Sequence, residues 1–219
     1  MIPQTNEPAF RPNYYEPSLL VLTSVIHILI ETVHPLARFK IINILAIAGW
    51  AGYVIWKVVK SKGMLKYWGF RWDNFFITFR SCLYFTIPAI ILVFGYGFFA
   101  HHFPIPSTFW MICVLYPIWG IVQQFALQGL VQRNIRDLIK PILYRSLALA
   151  ILFSSAHAFD MRLVLLAFPI GFAFSWIYYR SPNLLALGIC HGILGAMVYY
   201  FVLGQDPGTE IINLLMQVK

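Results

Sequence analysis

Apolar stretches of about the 20 residues that a helix needs to cross the hydrocarbon core recur at 18–36, 41–59, 82–100, 108–132, 143–159, 161–180 and 184–203, with charged residues gathered between them. The pattern predicts an all-α fold: a polytopic membrane helix bundle with about seven transmembrane helices. His27, Glu31 and His34 interrupt the first stretch and Pro35 closes it, so it reads as a full crossing, a re-entrant segment or one lying partly in the interface. Residues 64–80 mix aromatic and basic side chains without enough apolar length to cross, which predicts an amphipathic helix in the cytoplasmic interface. A loop anchored by tryptophans is the plainer alternative. Neither internal repeats nor a Ser/Gly-rich linker divides the chain, so it is expected to form a single membrane domain over 1–219, with a polar N-terminal segment at 1–17 and its core at 82–203.

Composition supports the membrane assignment: of 219 residues, 60% are hydrophobic and 11% charged, far from the soluble average. The net charge of +8 does not indicate nucleic acid, because the basic residues flank apolar spans instead of forming an aromatic-interleaved patch. Lys57, Lys60, Lys62, Lys66, Arg71 and Arg80 follow the second stretch, Arg133, Arg136, Lys140 and Arg145 the fourth, and Arg180 the sixth. By the positive-inside rule these connections are cytoplasmic, which places the N-terminus inside and the C-terminus outside. The expected location is a bacterial inner membrane. The first residues lack a basic region followed by a cleavage site, so no signal peptide is read. Cys82, Cys113 and Cys190 lie in or beside different spans without paired spacing, which argues against disulfides and zinc-thiolate sites.

Polar side chains are costly in a membrane and usually face the bundle interior. Gln123, Gln124 and Gln128 occupy the fourth stretch, His157 the fifth and His191 the seventh, at depths compatible with one shared cluster, His157 lying somewhat nearer the outer face. His27, Glu31 and His34 share a helix face at i, i+4 and i+7; they are weak cofactor-binding candidates, against the plainer reading of a polar face paired within the bundle. His101-His102, beside Pro104 and Pro106, reads as turn chemistry. Apart from Asp160, no Asp, Glu or Cys stands at a helical spacing that would complete a metal site with His157 and His191, so neither a metal nor another cofactor is expected.

Three of these elements carry a family resemblance. Phe153-Ser-Ser-Ala-His157 resembles the Phe-x-x-x-His element of the CPBP family, the CAAX proteases and bacteriocin-processing enzymes also called Abi proteins. Gln123-Gln-Phe-Ala-Leu-Gln128-Gly129 is similar to its Glu-Glu-x-x-x-Arg-Gly element, and His191-Gly-Ile-Leu-Gly195 to its His-x-x-x-Asn. Order and separations fit over about residues 116–203. The family's active members are intramembrane endopeptidases, in which the resemblance implies that the glutamates activate water while histidine and asparagine stabilise the oxyanion. By position, Gln123 and Gln124 stand for the glutamates, Gln128 for the arginine and Gly195 for the asparagine; only His157 and His191 are kept.

An amide is not a useful base, and general-base catalysis commonly contributes about 10²- to 10⁴-fold in rate. Losing an oxyanion donor at 195 removes about 10²- to 10³-fold more. An engineered glutamate-to-glutamine trap would have kept the arginine and the asparagine, so the substitutions read as natural divergence. The expectation is a catalytically degenerate, CPBP-like membrane protein that binds another integral membrane protein, a lipid or a lipophilic ligand, as a scaffold or assembly subunit. The alternative is a CAAX-type endopeptidase that works through His157 and His191. The remaining class, a transporter, lacks inverted repeats and paired broken helices.

Overall fold

The computed structural model describes residues 10–33, 37–102 and 105–217. It is all-helical, with α1 (Tyr15–Val33), α2 (Ala37–Lys60), α3 (Met64–Trp68), α4 (Phe75–Phe99), α5 (Thr108–Ile135), α6 (Ile142–Ser155), α7 (Met161–Arg180), α8 (Leu184–Leu203) and α9 (Pro207–Gln217). Among the described residues α4, α5, α7 and α8 are long and apolar enough to cross a membrane, while α1 and α6 offer shorter apolar lengths. The all-helical membrane bundle is as expected, and the count of seven crossings is not confirmed among the described residues. The fifth stretch stops early because the chain turns at 156–159 into Asp160, whose carboxylate caps α7 by accepting the Arg162 N–H at 2.8 Å.

The expected amphipathic helix over 64–80 is also corrected. Gly69, in the left-handed region at φ +100°, ends α3, and residues 75–80 belong to the first turns of α4. Met64, Tyr67 and Trp68 are buried instead of anchoring in lipid, and the Tyr178 hydroxyl donates to the Trp68 carbonyl at 2.6 Å. Aromatic residues beside lysines thus serve here as core.

The bundle is organised by the crossing of α5 and α8. A Cβ at Gly120 would lie 2.3 Å from the Gly188 carbonyl oxygen, and one at Gly192 would lie 2.4 Å from the Pro117 Cα. The Gly188-x-x-x-Gly192 spacing thus brings α8 into backbone contact with α5, as small residues allow between membrane helices. Pro117 costs α5 an internal hydrogen bond, and its ring lies where Gly192 leaves room. Past Gln124, α5 widens through residues 125–132 into i→i+5 bonding.

The ends are fastened by polar groups. Glu16, 3% exposed, accepts from Lys57, from Asn134 Nδ2 at 2.6 Å and from the Tyr53 hydroxyl, joining α1 and α2 to α5. At the opposite end Asp206 accepts from Thr108, Tyr200, Thr209 and Gly208. Burial raises the Asp206 pKa, but the hydrogen bonds from Thr209, Thr108 and Tyr200 outweigh it and bring the value down to about 2. His101 takes a left-handed φ of +58°, in keeping with a turn, and the ring of His102 binds the Phe201 carbonyl at 2.9 Å.

Candidate functional site

Because α8 lies directly on α5, His191 faces the position one turn beyond Gly120. Its Nε2 donates to the Gln123 Oε1 at 2.9 Å, while Nδ1, also buried, has no partner. An imidazole protonated at Nε2 leaves Nδ1 as a bare acceptor. His157 sits in the turn after α6 with Nδ1 2.8 Å from the Phe153 carbonyl, which requires that nitrogen to carry the proton. The Phe153 ring lies between the two imidazoles, its centroid 4.9 Å from that of His157 and 5.4 Å from that of His191.

These groups line a cavity of about 70 Å³ bounded by α5, α6, α7 and α8, with Gly195 also in its wall. Such a volume admits a few waters or a small apolar group. Two tyrosines, Tyr116 and Tyr199, stand in the same wall with their rings 5.5 Å apart and edge-on. A Cβ at Gly195 would lie 3.5 Å from the Tyr116 ring, an ordinary contact. Space for a larger side chain therefore exists where the resemblance predicts asparagine.

The cluster expected from the sequence divides in two. Gln123, His157, His191 and Gly195 meet at the cavity, but Gln124 and Gln128 do not line it. Both are fully buried outside it, where Gln128 Nε2 donates to Gln124 Oε1 at 3.2 Å and to the Ser175 hydroxyl of α7 at 3.1 Å. Gln132 continues the row, donating to the Ser175 carbonyl at 3.0 Å. Consecutive residues of a helix stand about 100° apart, so Gln123 and Gln124, though adjacent in sequence, take different faces of α5.

Among the described acidic residues Glu16 alone is buried. It bonds Asn134, which follows Gln123 by 11 residues on α5, roughly 15 Å along the axis, too far to act as a base at the cavity. Asp160 is engaged with Arg162 at 2.8 Å, and hydrogen bonds from that residue hold its carboxyl below the usual range. No group of three or more His, Cys, Asp or Glu able to hold a metal occurs among the described residues. Of the weak cofactor candidates, His27 is exposed on α1, whereas His34 and the side chain of Glu31 lie outside the described residues.

Sequence reasoning missed Tyr116, Trp119, Phe153 and Tyr199 as cavity walls, and Ser175 and Glu16 as polar partners. Helical spacing was available for Tyr116, which precedes Gly120 and Gln123 at i+4 and i+7 on one face. No local signal linked Ser175 to the glutamines.

Residues 104–197 match the model of the family described as type II CAAX prenyl endopeptidase Rce1-like. The matched stretch contains the glutamine pair, both cavity histidines and Gly195. No curated protein and no solved structure matches the chain.

Proposed function

We propose, from the premise that residues 104–197 are similar to the Rce1-like type II CAAX prenyl endopeptidases, that this membrane protein has lost peptide hydrolysis and uses the cavity between α5 and α8 for binding. The cavity takes a small apolar group of the occupant, which is a lipophilic ligand or an apolar segment of another integral membrane protein for which this chain acts as a scaffold. The observation that carries the reading is the pairing of His191 with the amide of Gln123 at 2.9 Å, in a cavity with no carboxylate among its described lining residues. An amide oxygen takes up no proton at neutral pH, so neither Gln123 nor the buried Gln124 activates water. The free Nδ1 of His191 accepts a hydrogen bond from a hydroxyl or N–H of the occupant. The lysines and arginines near the α2–α4 connection support a cytoplasmic N-terminus, and the membrane of this proposal is a bacterial inner membrane.

One observation favours a second reading. Both imidazoles line the same cavity, so a hydrolase with His191 as base has its two histidines in place. Incubation of the purified chain with a prenylated CAAX peptide separates the two. Binding without chemistry predicts no product from the wild type, and none from the Gln123→Glu/Gln124→Glu double variant, because Gln128 and Gly195 have diverged too. Wild-type cleavage that disappears with His191→Ala would overturn the proposal and establish the hydrolase.

A further inference from the structure

The first turns of α4 carry an arginine whose position the cavity does not explain. Arg80 is exposed, five residues into a membrane-spanning helix that starts at Phe75, so its Cα stands about 7 Å along the axis. Three other arginines at this end are engaged: Arg71 binds Asp73 at 2.6 Å, Arg136 lies 3.5 Å from Asp137, and Arg180 stacks over Trp176 at 5.4 Å. Arg80 has no acidic partner among the described residues. An uncompensated guanidinium at this depth is costly unless it reaches polar atoms.

Below it Arg80, Leu83, Tyr84, Ile87 and Pro88 border a shallow, open groove along the surface of α4. These residues fall at i, i+3, i+4, i+7 and i+8 along one face of α4. Pro88 has no N–H to return to the Tyr84 carbonyl four residues before it. Tyr84 is 74% exposed, and its hydroxyl forms no hydrogen bond within the described protein. Trp72 and Phe76, 75% and 81% exposed, stand at the same end, where aromatic side chains mark the level of the lipid headgroups. The groove thus has a cation and a hydroxyl donor at one end and an apolar track below them.

We propose that this face of α4 is a binding site for one anionic phospholipid. Its phosphate lies on the Arg80 guanidinium, an ester oxygen accepts from the Tyr84 hydroxyl, and an acyl chain follows Leu83, Ile87 and Pro88. Charge complementarity selects the anionic headgroup: the groove's side chains contribute one positive charge and no negative one, and guanidinium binds phosphate through paired N–H donors. The site lies outside residues 104–197 and does not depend on what occupies the cavity.

Native mass spectrometry of the full chain in micelles containing equal amounts of phosphatidylglycerol and phosphatidylcholine tests this. The wild type is expected to retain phosphatidylglycerol preferentially, and Arg80→Gln to lower that preference about fivefold, in line with one cation at a lipid surface. Arg80→Lys keeps most of it. Lys140→Gln, which removes an exposed cation outside the groove, leaves it unchanged. Equal retention of the two lipids by the wild type, or an equal loss in the Lys140 variant, would overturn the site in favour of diffuse surface attraction. Should the Arg80 variants not fold, Ile87→Trp fills the groove and keeps the charge; undiminished phosphatidylglycerol retention by that variant also overturns it.

Discussion

The α5–α8 crossing and the α1–α2 hairpin both contain closely spaced glycines inside apolar helices, yet they use them in opposite ways. Around Gly120, Gly188 and Gly192 the space a Cβ would fill is taken by the backbone of the other helix. Around Gly49 and Gly52 nothing lies within 4 Å. Glycine in a membrane helix therefore permits contact without creating it. At the crossing a matching surface exists: Pro117 and Ile121 of α5 stand against the glycines of α8. The hairpin is instead held at one end by the Glu16 network, while Leu45, Ile47, Ile55 and Val59 remain exposed.

Substitution at the two glycine sets is the harshest way to break this contrast. Gly192→Leu drives a side chain into the Pro117 backbone and is expected to cost about 3 kcal/mol or more, at or above the usual range for overpacking, so that the protein loses its thermal transition in detergent. Gly49→Leu leaves the transition in place. Similar melting of both variants would mean that the crossing is not the organising contact.

A smaller, local effect is expected at the hairpin. Glu16→Ala leaves the Lys57 ammonium and Asn134 without their buried acceptor, a change in the class that costs about 3 kcal/mol when a buried ion pair loses one member. Lys57 is partly exposed, which reduces the figure. Hydrogen exchange should accelerate through α1 and α2 and stay unchanged in α5 and α8. Acceleration spread evenly over the chain would show that the hairpin and the crossing form one cooperative unit.

The same contrast explains what was legible in the sequence. Hydropathy located the long helices, because the cost of polar groups in a membrane acts locally, and the resemblance to three family elements named four of the residues that line the cavity, Gln123, His157, His191 and Gly195. Consecutive helix residues stand about 100° apart, so the sequence separates Gln123 from Gln124, but which of the two meets the cavity depends on the side from which α8 approaches. Residues 64–80 misled for a related reason: aromatic and basic residues in alternation suit an interface, and only tertiary contacts, such as the Tyr178 hydroxyl bond to Trp68, turn residues 64–68 inward while Trp72 and Phe76 stay exposed. Glu16 was read as part of a polar tail because its partners Asn134 and Lys57 lie 118 and 41 residues away.

The central claim is that the cavity beside His191 binds without cutting, and filling it is the most direct test. Gly195→Leu places a larger side chain in the cavity wall, where its Cβ has only an ordinary contact with Tyr116, so folding should survive. Native mass spectrometry of the wild-type chain, extracted mildly from its own membrane, is expected to show a retained lipophilic ligand or membrane-protein partner, and the Gly195→Leu chain is expected to lack it. A bare wild-type monomer, or a ligand retained equally by both chains, would contradict the account.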